Sequence, residues 1–311
     1  MSLRSRRRMQ LESRFVGGTE MVRIESGIFH MGSEDHYPEE APIHIRSVDA
    51  FWIDRTPVTN VEFARFVAVS RYVTLAEREP DPVDYPDADP ALIVPGSVVF
   101  RAPAAPVGPD DWQAWWAYVP GASWRHPEGP GSSIAGRDEH PVVHVAFEDA
   151  MAYAVWAGKD LPTEAEWEFA ARGGLDRVEF AWGDDLTPDG QHMANTWQGR
   201  FPVENSAEDG FAGTSPVTAF PVNGYGLYDM IGNVWEWTKD HYLDNHEGKR
   251  PASCCTAQAE RTGIALRKVV KGGSHLCAPS YCRRYRPAAR QSQTIDTSTS
   301  HIGFRCVQRE F

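Results

Sequence analysis

Residues 161–174 read LPTEAEWEFAARGG, and this stretch sets the first element of the fold. Thr163 can cap a helix with its hydroxyl, and Glu166, three residues later, can return a hydrogen bond to the backbone of the cap. Gly173 and Gly174 favour the left-handed backbone that ends a helix. The sequence therefore predicts a short, capped helix between Thr163 and Gly173.

Working outward, the apolar spacing predicts only short elements. Upstream they are a strand and turn at 21–32, a strand at 44–51, a helix capped by Thr59 and Glu62, a strand at 141–147 and a helix at 149–157. Downstream, strands are expected near 268–270 and 302–306, among loops of Gly, Asn, Asp and Trp. We predict an α+β fold, a single mixed domain at 21–311 with little regular secondary structure.

Two stretches are expected to lie outside the regular elements. Residues 1–20, with a basic cluster from Arg4 to Arg8, are predicted to be a disordered N-terminal tail. Residues 79–111 are rich in Pro and Asp, which remove backbone donors or compete with the backbone. We interpret 79–111 as a long surface excursion, because compact patterning resumes at Trp112.

The composition limits the classes of function. The 311 residues are 41% hydrophobic and 24% charged, as in globular proteins, but 11 Trp, 26 Gly and 23 Pro favour aromatic anchors that hold loop-rich backbone. A net charge of -12 disfavours nucleic acid as a partner. Because no run of about 18 apolar residues occurs, no membrane span is predicted, and we expect a cytoplasmic protein.

The chain has five cysteines, an odd number that does not suggest a disulfide framework: Cys254, Cys255, Cys277, Cys282 and Cys306. Cys277 and Cys282 can meet across a turn, and two thiolates form a soft site for Cu(I) or Zn(II). Zinc usually needs four ligands, and no second close pair stands nearby. The spacing alone leaves open two buried cysteines or a structural disulfide. The arginines that follow would stabilise a thiolate if they point inward: Arg283, Arg284, Arg286 and Arg290.

The segment GGSHLCAPSYCRRYRPAARQSQTIDTSTSHIGFRC, residues 272–306, resembles the signature of the formylglycine-generating enzyme family, also called sulfatase-modifying factors. The resemblance covers residues 21–306 and includes HPVVHV, WAGKDLPTEAEWEFAARGG, ANTWQGRFP, EDGF, NGYGLYDMIGNVWEW and GFRC. It implies a fold related to C-type lectin-like domains. The wider superfamily shares GNVWEW and GFRC without the activity, whereas the two cysteines, with NTWQGRFP, mark the active branch.

The resemblance also implies the chemistry. Cys277 and Cys282 match the catalytic pair, which binds Cu(I) through both sulfurs. The implied reaction uses O2 and a thiol reductant to oxidise the cysteine of a Cys-x-Pro-x-Arg motif in an unfolded sulfatase to Cα-formylglycine. Cys282 would exchange with the substrate thiol or form a mixed disulfide to it. Ser274 and Trp235 match positions that line the oxygen-side pocket, a role compatible with Trp235 as a core residue.

The sequence departs from the family pattern at several positions. His301 stands where the family often has Asn, so it would donate a hydrogen bond similarly or titrate near neutral pH. Secreted members carry two structural disulfides, and three of the four corresponding positions here are Ala154, Ala171 and Pro287. Cys306 is left without a partner and is expected to be a buried free thiol, which favours a reducing compartment.

The family supplies two structural calcium sites, and the loops around GNVWEW and NTWQGRFP carry the matching oxygens. From the residues alone, these loops read as hydrogen-bonded loops without a regular calcium motif. The first site maps to the side chains of Asn195 and Asp209 and the carbonyls of Thr196 and Phe211. The second maps to the side chains of Asp229 and Glu236 and the carbonyls of Gly232 and Val234. Asp229 replaces a family Asn and adds negative charge.

Other candidates are assigned structural roles or none. His140 and His144 are expected to pack and hydrogen-bond, three glutamates of the 164–168 helix to favour its N-terminus, and Cys254–Cys255 to have no role. The competing function is a non-catalytic binding module on the same scaffold. An iron-dependent sulfoxide synthase would need a further helical domain that the sequence lacks. We expect a monomer.

Overall fold

The computed structural model describes residues 12–87, 89–108, 111–247 and 266–310. Within them, twelve short strands and three α-helices are joined by long loops. The helices are α1 Asn60–Ser70, α2 Phe147–Trp156 and α3 Glu164–Arg172. The strands are β1 Ser13–Val16, β2 Thr19–Ile24, β3 Gly27–Met31, β4 His44–Val48, β5 Phe51–Asp54, β6 Gly96–Phe100, β7 Trp116–Pro120, β8 Trp235–His241, β9 Arg267–Lys271, β10 Arg290–Thr294, β11 Ile302–Gly303 and β12 Val307–Arg309. The predicted α+β fold with little regular structure is confirmed.

The strands form two four-stranded sheets and two hairpins. The first sheet has the order β1-β2-β5-β12, so strands from the two ends of the described chain lie in one sheet. The second has the order β10-β9-β8-β11, with β11 parallel to β8 and the other pairs antiparallel. Hairpins β3-β4 and β6-β7 complete the strands. The second sheet matters for function, because β8 and β9 each lead to or from the loops described below.

The capping signals were predicted correctly. In α1 the side chain of Thr59 accepts from the Glu62 backbone while Glu62 bonds the Thr59 backbone, and α3 has the same box at Thr163 and Glu166. Gly173 ends α3 in the left-handed region, with φ 57°. Helix α3 is buried along most of its length and packs against β3, β4, β8 and β9. The helix therefore joins a hairpin to the second sheet.

The strand predicted at 141–147 is wrong. Only Pro141 makes an isolated bridge, to Thr59, and α2 begins at Phe147. His144 has φ 59°, which breaks an extended strand, and its imidazole bonds Ser97 Oγ at 2.7 Å and the Pro127 carbonyl at 2.8 Å. These partners, which are distant in the sequence, hold the backbone at His144 away from the extended conformation. They also satisfy both ring nitrogens, in agreement with the structural interpretation of this histidine.

The boundaries of the tail and the excursion also need correction. The ordered chain starts before Met21, because β1 and β2 pair in the first sheet; residues 1–11 lie outside the described residues. The Pro/Asp-rich part of the excursion forms only short 3-10 turns, as expected. Its next part forms β6, which pairs with β7. Together with residues 296–298 this region surrounds a cavity of about 550 Å³.

Tryptophan is the main large anchor of the interior. Five indoles are at most 2% exposed: Trp115, Trp124, Trp167, Trp235 and Trp237. Each removes a large apolar surface from water and thereby holds loops that have few backbone ladders. In the described part of the chain, every helix is too short or too polar to cross a membrane.

Candidate active site

The cysteine loop, residues 274–282, follows β9 through two glycines. Gly272 and Gly273 have φ 95° and 72°, and a Cβ on Gly273 would lie 2.9 Å from backbone atoms of Arg284. Only glycine fits this combination of a left-handed backbone and close approach. The turn thereby brings the start of the cysteine loop against its end.

The two cysteines meet inside this loop. The N–H of Cys277 donates to the Ser274 carbonyl at 2.9 Å, and the N–H of Cys282 donates to the Ala278 carbonyl at 3.0 Å. These turns place the two Sγ atoms 3.1 Å apart, well beyond the about 2.05 Å of a disulfide bond. Both thiols are free and buried, so of the alternatives left open by the spacing the structural disulfide is not present here.

The two thiols differ in acidity. A hydrogen bond from Cys277 lowers the pKa of Cys282 to about 7, against the opposite effect of burial, and the positive charge of Arg284 lowers it further. Burial raises the pKa of Cys277 well above its ordinary value, and the neighbouring Cys282 adds to this. Of the two thiols, Cys282 is therefore the one that loses its proton first, while Cys277 keeps its proton.

Arg284 is the basic residue that serves the thiolate. Its Nη1 lies 3.9 Å from Cys282 Sγ, while its Nη2 donates to Glu39 at 2.7 Å. The guanidinium also lies over the ring of Tyr37, 3.8 Å from the centroid. A carboxylate and an aromatic face hold the cation beside the sulfur.

The other three arginines do not meet the condition of pointing toward the thiolate, because each pairs with a carboxylate. Arg286 bonds both oxygens of Glu40, Arg290 bonds both oxygens of Glu164, and Arg283 pairs with Glu179 at 2.7 Å. The Glu40 and Glu164 pairs are buried, whereas the Arg283 pair is partly exposed. Most of this positive charge stabilises the fold rather than the thiolate. Glu164 thus has a buried partner that its helix position did not predict.

Ser274 and Trp235 occupy different places relative to the sulfurs. The N–H of Ser274 donates to Cys277 Sγ at 3.4 Å, and its hydroxyl accepts from the Leu276 N–H at 3.2 Å. Trp235 is 2% exposed within the core cluster that also contains both cysteines. Ser274 therefore contacts the pair directly, and Trp235 is a core residue of the same region.

His301 is a neutral, partly buried hydrogen-bonding residue. Its Nδ1 lies 2.7 Å from Thr299 Oγ1, and its ring lies 4.8 Å from that of Trp116. Burial lowers the pKa of His301 to about 3. Titration near neutral pH, one of the two sequence expectations for this position, is therefore wrong.

Aromatic side chains that the sequence did not single out surround the cysteine loop. Tyr281 stacks on Phe201 with centroids 4.5 Å apart, and Trp115 meets both rings edge-on. Trp197 contacts Phe201, and its N–H donates to the Cys277 carbonyl at 3.0 Å. The sequence shows that 115–116 and 197–201 contain aromatic residues. It does not show that these residues form one surface, which requires the folded chain.

The first predicted calcium site has an orphaned oxygen. Asn195 is fully buried, and its Oδ1 has no hydrogen-bond partner, although its Nδ2 donates to the Gly213 carbonyl. Asp209 accepts from the backbone N–H groups of Thr196 and Phe211 at 3.1 and 3.0 Å. The four predicted residues thus lie in neighbouring segments, and the side-chain amide of Gln198 donates to both the Thr196 carbonyl and Asp209. A buried oxygen without a donor fits a hard cation.

The second predicted site is more crowded. Asp229 Oδ1 is buried without a partner, and burial raises the pKa of this carboxyl to about 7. Glu236 accepts from Arg305 on both oxygens and from Trp167 on one of them. One of its four acceptor positions remains. Gly232 and Val234 lie between these two carboxylates in the chain. The described residues contain no cluster of three or more His, Cys, Asp or Glu arranged for a metal.

Cys306 is the third cysteine among the described residues. Cys306 is a fully buried free thiol, as predicted, and its backbone N–H donates to Asp54. Cys254 and Cys255 lie outside the described residues.

Comparison with known proteins identifies the family. The family model described as "Sulfatase-modifying factor enzyme 1-like domain" matches residues 8–310. "Formylglycine-generating enzyme" of Mycobacterium tuberculosis is 56% identical over 292 residues, 93% of this chain and 97% of that protein. "Inactive C-alpha-formylglycine-generating enzyme 2" of Bos taurus is 39% identical, over 92% of this chain and 87% of that protein. The fold also resembles that of PvdO from Pseudomonas aeruginosa, with TM-score 0.64 and 22% identity over 97% and 98% of the two chains. The chain belongs to the sulfatase-modifying factor enzyme family.

Proposed function

We propose that this protein oxidises the cysteine of a Cys-x-Pro-x-Arg motif, in an unfolded sulfatase polypeptide, to Cα-formylglycine. O2 would be the oxidant and a thiol the reductant. The family and the name of the Mycobacterium tuberculosis relative support the reaction class. Because a relative named inactive is also similar, family membership alone does not decide activity. The observation that carries the proposal is the 3.1 Å approach of the Cys277 and Cys282 sulfurs.

The two sulfurs are a suitable donor set for Cu(I). Soft thiolates select soft ions, and Cys277 and Cys282 would hold the ion through their Sγ atoms. When bound, Cu(I) would supply one-electron chemistry with O2 that amino-acid side chains lack. The hard oxygens of Asp209 and Glu236 belong to other segments, a loop and strand β8, so the soft and hard sites would be separate.

The residues around the pair prepare the sulfurs for a substrate thiol. Cys282 ionises first and is the more exposed sulfur, with 9% of the residue exposed against 2% for Cys277. It is thus the sulfur beside which a substrate cysteine would be held. Cys277 holds the proton, and the Ser274 N–H fixes its sulfur. This difference supports the assignment of Cys282 to substrate capture.

An extended substrate strand would lie along the aromatic surface beside Cys282. Tyr281 is 40% exposed, and its stacking on Phe201 fixes the ring at low cost in conformational entropy. Pro279 and Ser280 are exposed at the crest of the loop. An unfolded segment can reach this surface, whereas a folded domain would have to expose its cysteine first.

We further propose that Ca2+ occupies both oxygen-rich sites and braces their loops without redox chemistry. The orphaned oxygens of Asn195 and Asp229 support this assignment. We also propose a monomer in the cytoplasm, because the free thiols of Cys277, Cys282 and Cys306 suit a reducing compartment.

A peptide assay tests the function. The copper-loaded protein is incubated with a Cys-x-Pro-x-Arg peptide, O2 and a thiol reductant, and the peptide mass is followed. We expect aldehyde formation that falls at least about 10³-fold in Cys277→Ser and Cys282→Ser. Cys306→Ala is the matched control, because it removes a buried thiol outside the site and should retain activity. Unchanged peptide with copper-replete wild type would favour the binding module instead.

A further inference from the structure

A cavity next to the cysteine loop is not used by the chemistry described above. It has a volume of about 280 Å³, and Pro279 and Ser280 of the cysteine loop form part of its wall. The remaining wall comes from segments 182–187 and 192–199 and from residue 208. The cavity and the sulfur pair therefore share one loop.

The lining combines apolar and polar side chains. Trp182, Leu186, Met193 and Trp197 contribute the apolar surface, and Gln198 and Glu208 lie among the polar lining residues. Trp182 is fixed by donation of its Nε1–H to the Asp185 carbonyl at 2.7 Å. Apolar walls with a few polar groups are typical of a preformed site for one large side chain.

The backbone of Trp197 connects this cavity to the backbone of the cysteine loop. Its N–H donates to the Cys277 carbonyl, and its Nε1 is buried without a hydrogen-bond partner. Pro279 and Ser280 are each two residues from one of the cysteines, so this wall begins within about 7 Å of chain length from them. A strand whose cysteine lies at Cys282 has a neighbouring side chain within reach of the cavity.

We propose that this cavity is a specificity subsite that binds a large apolar side chain of the sulfatase strand, within about three residues of the oxidised cysteine. The inference rests on the proposed function and adds a sequence preference to it. The occupant is substrate because the cavity is continuous with the cysteine loop, and it is apolar because Leu186 and Met193 offer no hydrogen bonds. The substrate would thus be selected by a neighbouring residue as well as by its motif.

The test uses peptides of the motif in which each flanking or variable position is changed in turn from Leu to Gly. With wild type, we expect one position at which Gly raises KM about tenfold with kcat unchanged. In Leu186→Asn the advantage of the Leu peptide should disappear, while the Gly peptide is used as by wild type. Met193→Asn is a second variant, and Leu175→Asn, a half-exposed leucine elsewhere, is the matched control.

Binding separates this inference from the function. Fluorescence anisotropy of labelled peptides measures the Leu-to-Gly difference even if no aldehyde forms. Aldehyde formation with equal use of all peptides, or equal losses for both peptides in Leu186→Asn and Met193→Asn, would overturn the subsite and leave the oxidase standing. No oxidation, together with a tenfold difference in Kd that Leu186→Asn removes, would overturn the oxidase and keep the subsite.

Discussion

The cysteine loop and the arginine segment, residues 283–290, are consecutive in the chain but opposite in chemistry. In the arginine segment, Arg286 and Arg290 each bond both oxygens of a buried carboxylate. In the cysteine loop, Cys277 and Cys282 contact chiefly one another, one backbone N–H and a guanidinium at 3.9 Å. The first arrangement leaves little binding capacity, whereas the second leaves sulfur lone pairs for a ligand. The arginine segment, whose charges are neutralised by buried carboxylates, thus supports the reactive cysteine loop.

The largest expected effect on stability comes from breaking a buried ion pair of the arginine segment. Arg286→Met leaves the fully buried Glu40 carboxylate without its partner, which should lower the free energy of unfolding by about 3–5 kcal/mol. The control Arg283→Met breaks a partly exposed pair and should cost less than about 1 kcal/mol. Chemical denaturation measures both values. Equal effects of the two variants would mean that the buried pairs of the arginine segment do not support the cysteine loop.

A double variant sharpens this result. Replacing both members of the pair, as in Arg286→Met with Glu40→Leu, removes the uncompensated charge and should recover much of the lost stability. A double variant as unstable as Arg286→Met alone would show that packing of the arginine stem, rather than charge, dominates.

The comparison also explains what the sequence could predict. The capping boxes at Thr59 and Thr163 were correct because their partners lie three residues away. The cysteine pair came from the family resemblance, and its spacing allowed the contact without requiring it. The partner of Arg286 lies 246 residues away, so no local pattern could assign it.

The failed predictions have the same cause. His144 leaves the extended region because Ser97 and Pro127 bond its ring from other segments. Strand β6 forms only because β7 supplies its partner. The aromatic surface at Tyr281 and Phe201 joins residues 80 positions apart. In a chain with so many loops, long-range side-chain contacts decide much of the backbone, and these contacts are not visible in local spacing.

Calcium removal should give an intermediate effect. A site filled at about one hundred times its Kd adds about 2.7 kcal/mol, so a verified calcium-free sample should melt about 5 °C lower. Asn195→Leu removes the orphaned oxygen and should reduce this calcium-dependent difference in Tm. The Sγ–Sγ contact should persist, because sulfur takes no part in these sites. If the Tm were the same with and without calcium, the proposal of both calcium sites would be wrong.

The smallest effect concerns the acidity of the cysteine loop. In reduced, copper-free protein, the rate of Cys282 alkylation should rise with pH through a midpoint near 7, because the thiolate is the nucleophile. Loss of the Cys277 hydrogen bond in Cys277→Ala should raise that midpoint most. Arg284→Met should raise it less, by about 0.5–1 pH unit, since a cation 3.9 Å away is a weaker influence than a direct hydrogen bond.

The control Arg283→Met should leave the midpoint in place, because that guanidinium pairs with Glu179. Arg284→Lys should fall between wild type and Arg284→Met, since it keeps the charge but loses the planar contact with Tyr37. If Arg283→Met and Arg284→Met raised the midpoint equally, the thiolate would respond to the net charge of the arginine segment. The contrast between the arginine segment and the cysteine loop would then be wrong, because every arginine of the segment would lower the pKa of Cys282.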